Sequence, residues 1–310
     1  MSEPLLTALL LLLYTFVLPL AGAGGAIWFT RRWSSTGRIA PAHRGALAFL
    51  VGALFALWGI LGVGIFWGPD VKRFLSWGAV AIGVGIVLCE RRGGDWAAAL
   101  GLPLFALTLT LLHWGLLAPR AEAAGGWGVA LATGWTLASL VTALFVWAIL
   151  ARESAHRNTP AFCAPLALCA AGSGIILALS GTLALGQTLA AIGLPLALIG
   201  LYGWRSVSVT FGPAALASFI LLYEGIILAA HHYSSPSIPI GLIATLALAP
   251  LAQCLLPRSL SPRAGVAAGL LLTLPLLALS LYGSVAWDES LERAEAAAAE
   301  EDGYGYGYGD

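Results

Sequence analysis

A chain of 310 residues that is 59% hydrophobic and only 10% charged cannot clothe itself in the polar surface of a water-soluble domain, where about a quarter of the residues are charged. Its formal net charge is zero and its mean hydropathy is +0.89, which excludes a basic nucleic-acid-binding module and names the lipid bilayer as the first partner. Hydrocarbon is therefore the solvent that the rest of the sequence answers to.

A membrane-spanning helix needs about 20 mainly apolar residues, and ten such runs follow one another between charged, Pro-containing or polar breaks: Leu5–Phe29, Gly45–Trp67, Phe74–Cys89, Trp96–Leu117, Trp127–Ala151, Ala161–Leu179, Leu183–Trp204, Gly212–Ala230, Ile238–Leu256 and Ala264–Trp287. The first run resembles the apolar part of a signal peptide. Its leading residues carry Glu3 and no basic side chain, and the apolar stretch runs on to Phe29, so it reads as an uncleaved first helix. Between Ala161 and Trp204 no charge occurs. A single helix over that length would reach about 66 Å, roughly twice the hydrocarbon thickness, so the chain must fold back once, near Ser180-Gly181-Thr182. The fold class is thus all-α: a polytopic bundle of about ten transmembrane helices, residues 1–287, followed by a tail at residues 288–310.

Charge supplies the orientation. Arg31, Arg32, Arg38, Arg44, Arg91, Arg92, Arg152, Arg157, Arg205, Arg258 and Arg263 all fall in alternate loops, whereas Lys72, Arg73, Arg120 and Arg293 fall in the others or in the tail. The positive-inside rule places the first group in the cytoplasm and both termini outside, as expected for a bacterial inner membrane. Tryptophan, which prefers the headgroup boundary, occurs near most predicted ends. Trp58 and Trp135 lie near mid-helix and are expected to pack between helices.

Small residues at four-residue spacing, Ala48-Gly52-Ala56, Ala130-Gly134-Ala138, Ala170-Gly174-Ala178 and Gly265-Gly269, predict close helix crossings. Leu18-Pro19-Leu20, Leu102-Pro103-Leu104, Leu194-Pro195-Leu196 and Leu274-Pro275-Leu276 recur in the first, fourth, seventh and tenth runs, a weak three-helix repeat of the kind carriers use. Cys89, Cys163, Cys169 and Cys254 have no metal-ligand spacing and read as inert buried thiols. The acidic, Ala-rich tail ends in alternating Gly and Tyr from Gly303 to Gly309; without apolar surface to bury it is expected to be disordered or transiently helical, and extracytoplasmic.

One ionisable group lies well inside a predicted helix. Glu224, in Leu221-Leu222-Tyr223-Glu224-Gly225-Ile226, is costly in hydrocarbon, and such a residue is a functional-site hypothesis by default. Ala217, Leu221, Glu224, Leu228 and His231 share one helical stripe. The site candidates are Glu224 as a proton- or ion-coupling carboxylate, with Tyr223, His231 and Gln187 around it. The alternative is a structural carboxyl that hydrogen-bonds a neighbouring helix through Ser218 or Gln187. His113, His231 and His232 form a second constellation that two helices would present to a haem or a metal, although interfacial histidines ordinarily bond water and headgroups. Gly172-Ser173-Gly174 invites comparison with a helix-borne serine nucleophile, but no mid-helix His accompanies it. With no P-loop, HExxH or dinucleotide fingerprint, no catalytic residues are assigned, no cofactor is strongly implied and enzymatic chemistry is disfavoured. Two functions remain. The first is a permease or exporter for a small or amphipathic solute. The second is a membrane-embedded subunit or assembly factor of a respiratory or envelope-biogenesis complex.

Overall fold

The computed structural model describes residues 9–33, 40–62, 77–81, 103, 106–111, 113–115, 117, 128–206, 209–233 and 238–304, with side chains as far as Arg293. Every regular element among them is helical: α1 (Leu18–Trp33, preceded by a π-helical turn Leu13–Val17), α2 (Pro41–Leu61), α3 (Gly128–Ser154), α4 (Thr159–Leu179), α5 (Leu183–Arg205), α6 (Pro213–Tyr233), α7 (Ile240–Leu248, running on as a 3-10 helix Ala249–Leu255) and α8 (Pro262–Tyr304). Seven helices among the described residues are long and apolar enough to cross a membrane. The third and fourth predicted helices, and with them Cys89, lie outside the described residues apart from short helical pieces at 77–81 and within 103–117.

Local chemistry sets the helix ends. Asn158 caps α4, its side chain accepting a hydrogen bond from the Ala161 amide at 3.0 Å, and Pro160 occupies the first turn, where no N–H is needed. The predicted fold-back occurs at Gly181, whose φ of +87° an L side chain rarely adopts. The antiparallel α4–α5 pair that results has the most extensive contact among the described helices. Gly174 and Gly186 face each other there so closely that a Cβ on either would collide with the opposite backbone. In lipid, helices gain nothing by hiding apolar surface from one another, so close backbone approach is a main source of cohesion.

The other small-residue stripes divide. Gly52 of α2 meets Pro195 of α5 and the Pro19 carbonyl of α1, and Gly265 and Gly269 of α8 meet Ala161 and Pro165 of α4. By contrast, Ala130, Gly134 and Ala138 of α3 are exposed, with nothing near the place of a Gly134 Cβ. Trp135 does pack between helices, whereas Trp58 is 42% exposed and faces outward beside Phe55.

The described loops that carry arginine meet at one end of the bundle. The Thr210 amide bonds the Pro41 carbonyl at 3.2 Å, joining the chain before α2 to that before α6. Arg157 bonds the Leu256 carbonyl at 2.8 Å, and Glu153 receives Arg157 at 3.1 Å as well as Arg258. Glu153 and Arg157 are both buried, so this triad ties the α3–α4 turn to the segment before α8.

Two predicted boundaries move. The ninth predicted helix, Ile238–Leu256, contains a helix of 16 residues, Ile240–Leu255. Its 3-10 half rises about 2.0 Å per residue rather than 1.5 Å, so it covers about 27 Å in all. It connects Ile238, beside the end of α6, to Leu256 at the arginine-bearing end. The tenth does not stop at Trp287: α8 continues through the acidic stretch to Tyr304, because Ala and Glu are strong helix formers and Glu289 pairs with Arg293 one turn on at 2.9 Å.

The close α4–α5 crossing generates a test. Gly174→Val places side-chain carbons on the Gly186 and Ala190 backbone and should cost about 3 kcal/mol or more, seen as loss of the monodisperse peak in detergent size-exclusion. Gly134→Val meets open space and should leave both the peak and the melting temperature unchanged.

Candidate functional site

Helix α6 is apolar around its whole circumference, a pattern that either faces lipid or fills a protein centre. Here it fills the centre: every residue from Ala214 to His232 is buried, against α2, α3, α4, α5 and α7. Its first half is fixed by aromatic edges. Phe211 and Phe219 both meet Phe49 of α2, at 5.8 and 6.1 Å between ring centroids, and Phe219 stacks on Tyr223 at 5.3 Å. Ser218 donates to the Ala214 and Ala79 carbonyls at 3.3 and 3.4 Å.

Tyr223 and Glu224 are neighbours in sequence but point to different partners. The Tyr223 hydroxyl donates to the Leu246 carbonyl of α7 at 2.8 Å. It therefore accepts from Ser173 of α4, also at 2.8 Å. That carbonyl lacks its usual donor four positions on, because Pro250 has no N–H, and it accepts from the Ala249 amide as well as from the Tyr223 hydroxyl. Ser173 is thus a hydrogen-bonding residue between helices, with no histidine at hand.

Glu224 turns instead into a cavity of about 170 Å³ between α3, α6 and α7. Trp135, Ser139 and Thr142 of α3, Leu228 of α6, and Ile243 and Ala247 of α7 are among its walls, and Glu224 is the one titratable group among the described residues that line it. The carboxyl is 94% buried by area, and its Oε1 has no hydrogen-bond partner among the described residues. It lies near the middle of α6, about 16 Å along the axis from Pro213 and about 14 Å from Tyr233.

The remaining candidates separate around this point. His231, about 10 Å further along α6, donates through Nδ1 to the Ile238 carbonyl and stacks on His232 at 4.4 Å. Both rings contact Trp135, at 5.1 and 4.8 Å, so the Trp135 indole is the physical link between the histidine pair and the Glu224 cavity. Gln187 lies on α5, half-buried, and is not part of the cavity wall; neither it nor Ser218 bonds Glu224 among the described residues. His113 is fully buried, and no group of three or more His, Cys, Asp or Glu able to hold a metal occurs among the described residues. Cys163 and Cys169 are buried free thiols. Sequence reasoning missed Trp135, Ser139 and Thr142, whose one visible signal was a tryptophan away from the headgroup boundary.

No protein-family model matches the chain, and no curated protein matches it significantly.

The Tyr223 bridge generates a prediction. Tyr223→Phe removes both interhelical hydrogen bonds and should lower stability by about 1 kcal/mol, the usual scale for such bonds within a membrane, in an SDS-titration unfolding experiment.

Proposed function

We propose that this multi-pass membrane protein is a permease or exporter for a small or amphipathic solute, with Glu224 as the group that exchanges a proton or cation with it. One observation carries the reading: near the middle of α6, Glu224, 94% buried, borders a cavity, and its Oε1 has no hydrogen-bond partner among the described residues. A carboxyl kept only for structure is expected to be paired, since an unsatisfied buried charge or acid costs several kcal/mol. An unpaired one bordering a space fits exchange with something that comes and goes. The small number of polar groups on the cavity wall argues against a sugar-like solute, which needs many ligands.

The reading includes about ten transmembrane helices in an inner membrane, with both termini outside. The gathering of Arg44, Arg157, Arg205 and Arg258 at one end of the bundle supports it, because that end is then cytoplasmic by the positive-inside rule. A fusion of alkaline phosphatase after Tyr304 should be active in a bacterial host, and a green fluorescent protein fusion at the same place dark. The reverse pattern would invert the topology.

A second reading, a membrane-embedded subunit or assembly factor of a larger complex, draws on the outward-facing stripe Ala130-Gly134-Ala138 of α3, a close-approach surface that no described helix uses. Stable co-purification of other subunits in mild detergent would favour it.

For the permease, the decisive variant is Glu224→Gln, close to isosteric with the acid and unable to exchange a proton. In proteoliposomes holding a pH-sensitive dye, addition of amphipathic amines and alcohols should move protons with the native chain. The variant should reduce that flux at least tenfold while keeping a native size-exclusion profile. Wild-type flux in the variant would return Glu224 to a structural role.

A further inference from the structure

The cavity at Glu224 is closed along the membrane normal and open to the side. Toward the arginine-bearing end, the 3-10 segment Ala249–Leu255 packs on α3. Toward the other end stands the Trp135, His231 and His232 cluster. Between these closures the regular part of α7 stands away from α3. The residues that border the gap are outward-facing: Ala138 on α3, and Ile240, Ala244 and Leu248 on α7. Ile240 is 61% exposed and Leu248 43%. All four are apolar, and on α3 the exposed Leu137, Val141 and Phe145 continue the apolar outer face beside Ala138.

We infer that this gap is a lateral portal through which a lipophilic amine passes from the hydrocarbon of the bilayer to Glu224. The inference rests on the permease reading for its purpose and adds to it the class of ligand and its route. The chemistry of the walls selects the ligand. Apolar surface dominates and receives a hydrocarbon body. At the inner end the carboxyl accepts a hydrogen bond, with the Ser139 and Thr142 hydroxyls and the Trp135 ring on the facing wall. An aromatic face and a carboxylate together favour a cationic nitrogen over a neutral hydroxyl. Depth excludes the ammonium headgroup of a phospholipid: Glu224 lies about 14 Å from the nearer end of its helix, whereas headgroups remain at the interface.

The amine enters lipid as its free base, the form that partitions into hydrocarbon. On arrival its nitrogen takes the proton of the Glu224 carboxyl, and the ammonium and carboxylate remain within hydrogen-bonding distance. One proton moves from oxygen to nitrogen, and the net charge of the cavity is unchanged. The low-dielectric wall then strengthens the attraction of the pair.

The test is equilibrium binding of radiolabelled N,N-dimethyloctylamine to the full chain in nanodiscs, with 1-octanol as the uncharged competitor. Saturable binding is expected that octanol displaces poorly, that falls at least tenfold in Glu224→Gln, and that Glu224→Asp largely retains. Ala138→Trp, which fills the portal from a position where the side chain already faces outward, should also abolish binding while the chain stays monodisperse. Equal binding by Glu224→Gln, equal displacement by octanol, or undiminished binding with the portal filled would each overturn the inference. Amine binding without amine flux in proteoliposomes would remove the permease reading and leave the portal. Glu224-dependent flux of another solute without amine binding would do the reverse.

Discussion

The rest of the bundle depends on a helix without an outer face. Each residue of α6 from Ala214 to His232 is enclosed, and a spanning helix can be so enclosed only if its neighbours approach it from every side. Since lipid tails are as apolar as leucine, no hydrophobic gain drives that enclosure. Shape and a few polar contacts supply it. Ala214, Ala215, Ala217, Ala229 and Ala230 keep parts of the α6 surface slim, Phe49 and Phe219 interlock edge to face, and Ser218 and Tyr223 reach carbonyls on other segments. Around this centre the α4–α5 pair is held by the mutual approach of Gly174 and Gly186. Helix α8 is laid on α4 through Gly265 and Gly269 and by the Ser180–Ser284 bond at 2.7 Å.

The cavity follows from a local break in α7. Pro250 cannot donate to Leu246, so the helix tightens to 3-10 geometry from Ala249. The Leu246 carbonyl, already bonded to the Ala249 amide, also receives the Tyr223 hydroxyl. The break has two consequences. The greater rise per residue lets 16 residues run from one end of the bundle to the other. The tethering of α7 to α6 at Leu246, with the main contact to α3 made by the 3-10 segment, leaves the α3–α7 gap open above it. Thus the same proline that shortens α7 also shapes the space that Glu224 faces.

The all-helical class, the turn at Gly181, the gathering of arginine at one end of the described bundle and the burial of Glu224 were all legible from the sequence, because each follows from composition or local pattern. Burial cost singles out a carboxylate in an apolar run whatever its neighbours are. The partners of that carboxylate were not legible. Gln187 and Ser218 were chosen as nearby polar residues, but which face of a uniformly apolar helix meets which neighbour is decided by packing, and hydropathy carries no such information. The same ignorance hid Glu153. It stands at the end of an apolar run, and it pairs both with Arg157 one turn on and with Arg258, 105 positions away, which local pattern does not show. Along the tail, the described residues carry α8 as far as Tyr304, because Ala and Glu are strong helix formers in a segment already nucleated by the preceding helix.

Many of the other buried polar groups in the bundle are satisfied within the protein, which sets Glu224 apart from them. Thr30, Thr136, Thr188, Thr273 and Ser280 each donate to a carbonyl one turn back on their own helix, so these hydroxyls are satisfied without asking anything of a neighbour. Ser173 and Tyr223 satisfy one another, and Glu153 is held by two guanidinium groups. A bundle that satisfies these buried groups has the means to pair one more carboxyl, since a single serine or glutamine on α3 or α7 turned toward Glu224 would suffice. The wall opposite Glu224 carries Ser139 and Thr142 beside Trp135, Ile243 and Ala247, yet neither hydroxyl bonds the carboxyl among the described residues, and that of Thr142 donates to the Ala138 carbonyl of its own helix. Stability alone would favour leucine at this position, because a well-packed apolar residue in the bundle centre avoids the desolvation cost altogether. A carboxyl whose Oε1 has no partner among the described residues, beside a cavity bordered by outward-facing apolar side chains, is therefore the feature on which the proposed ligand rests.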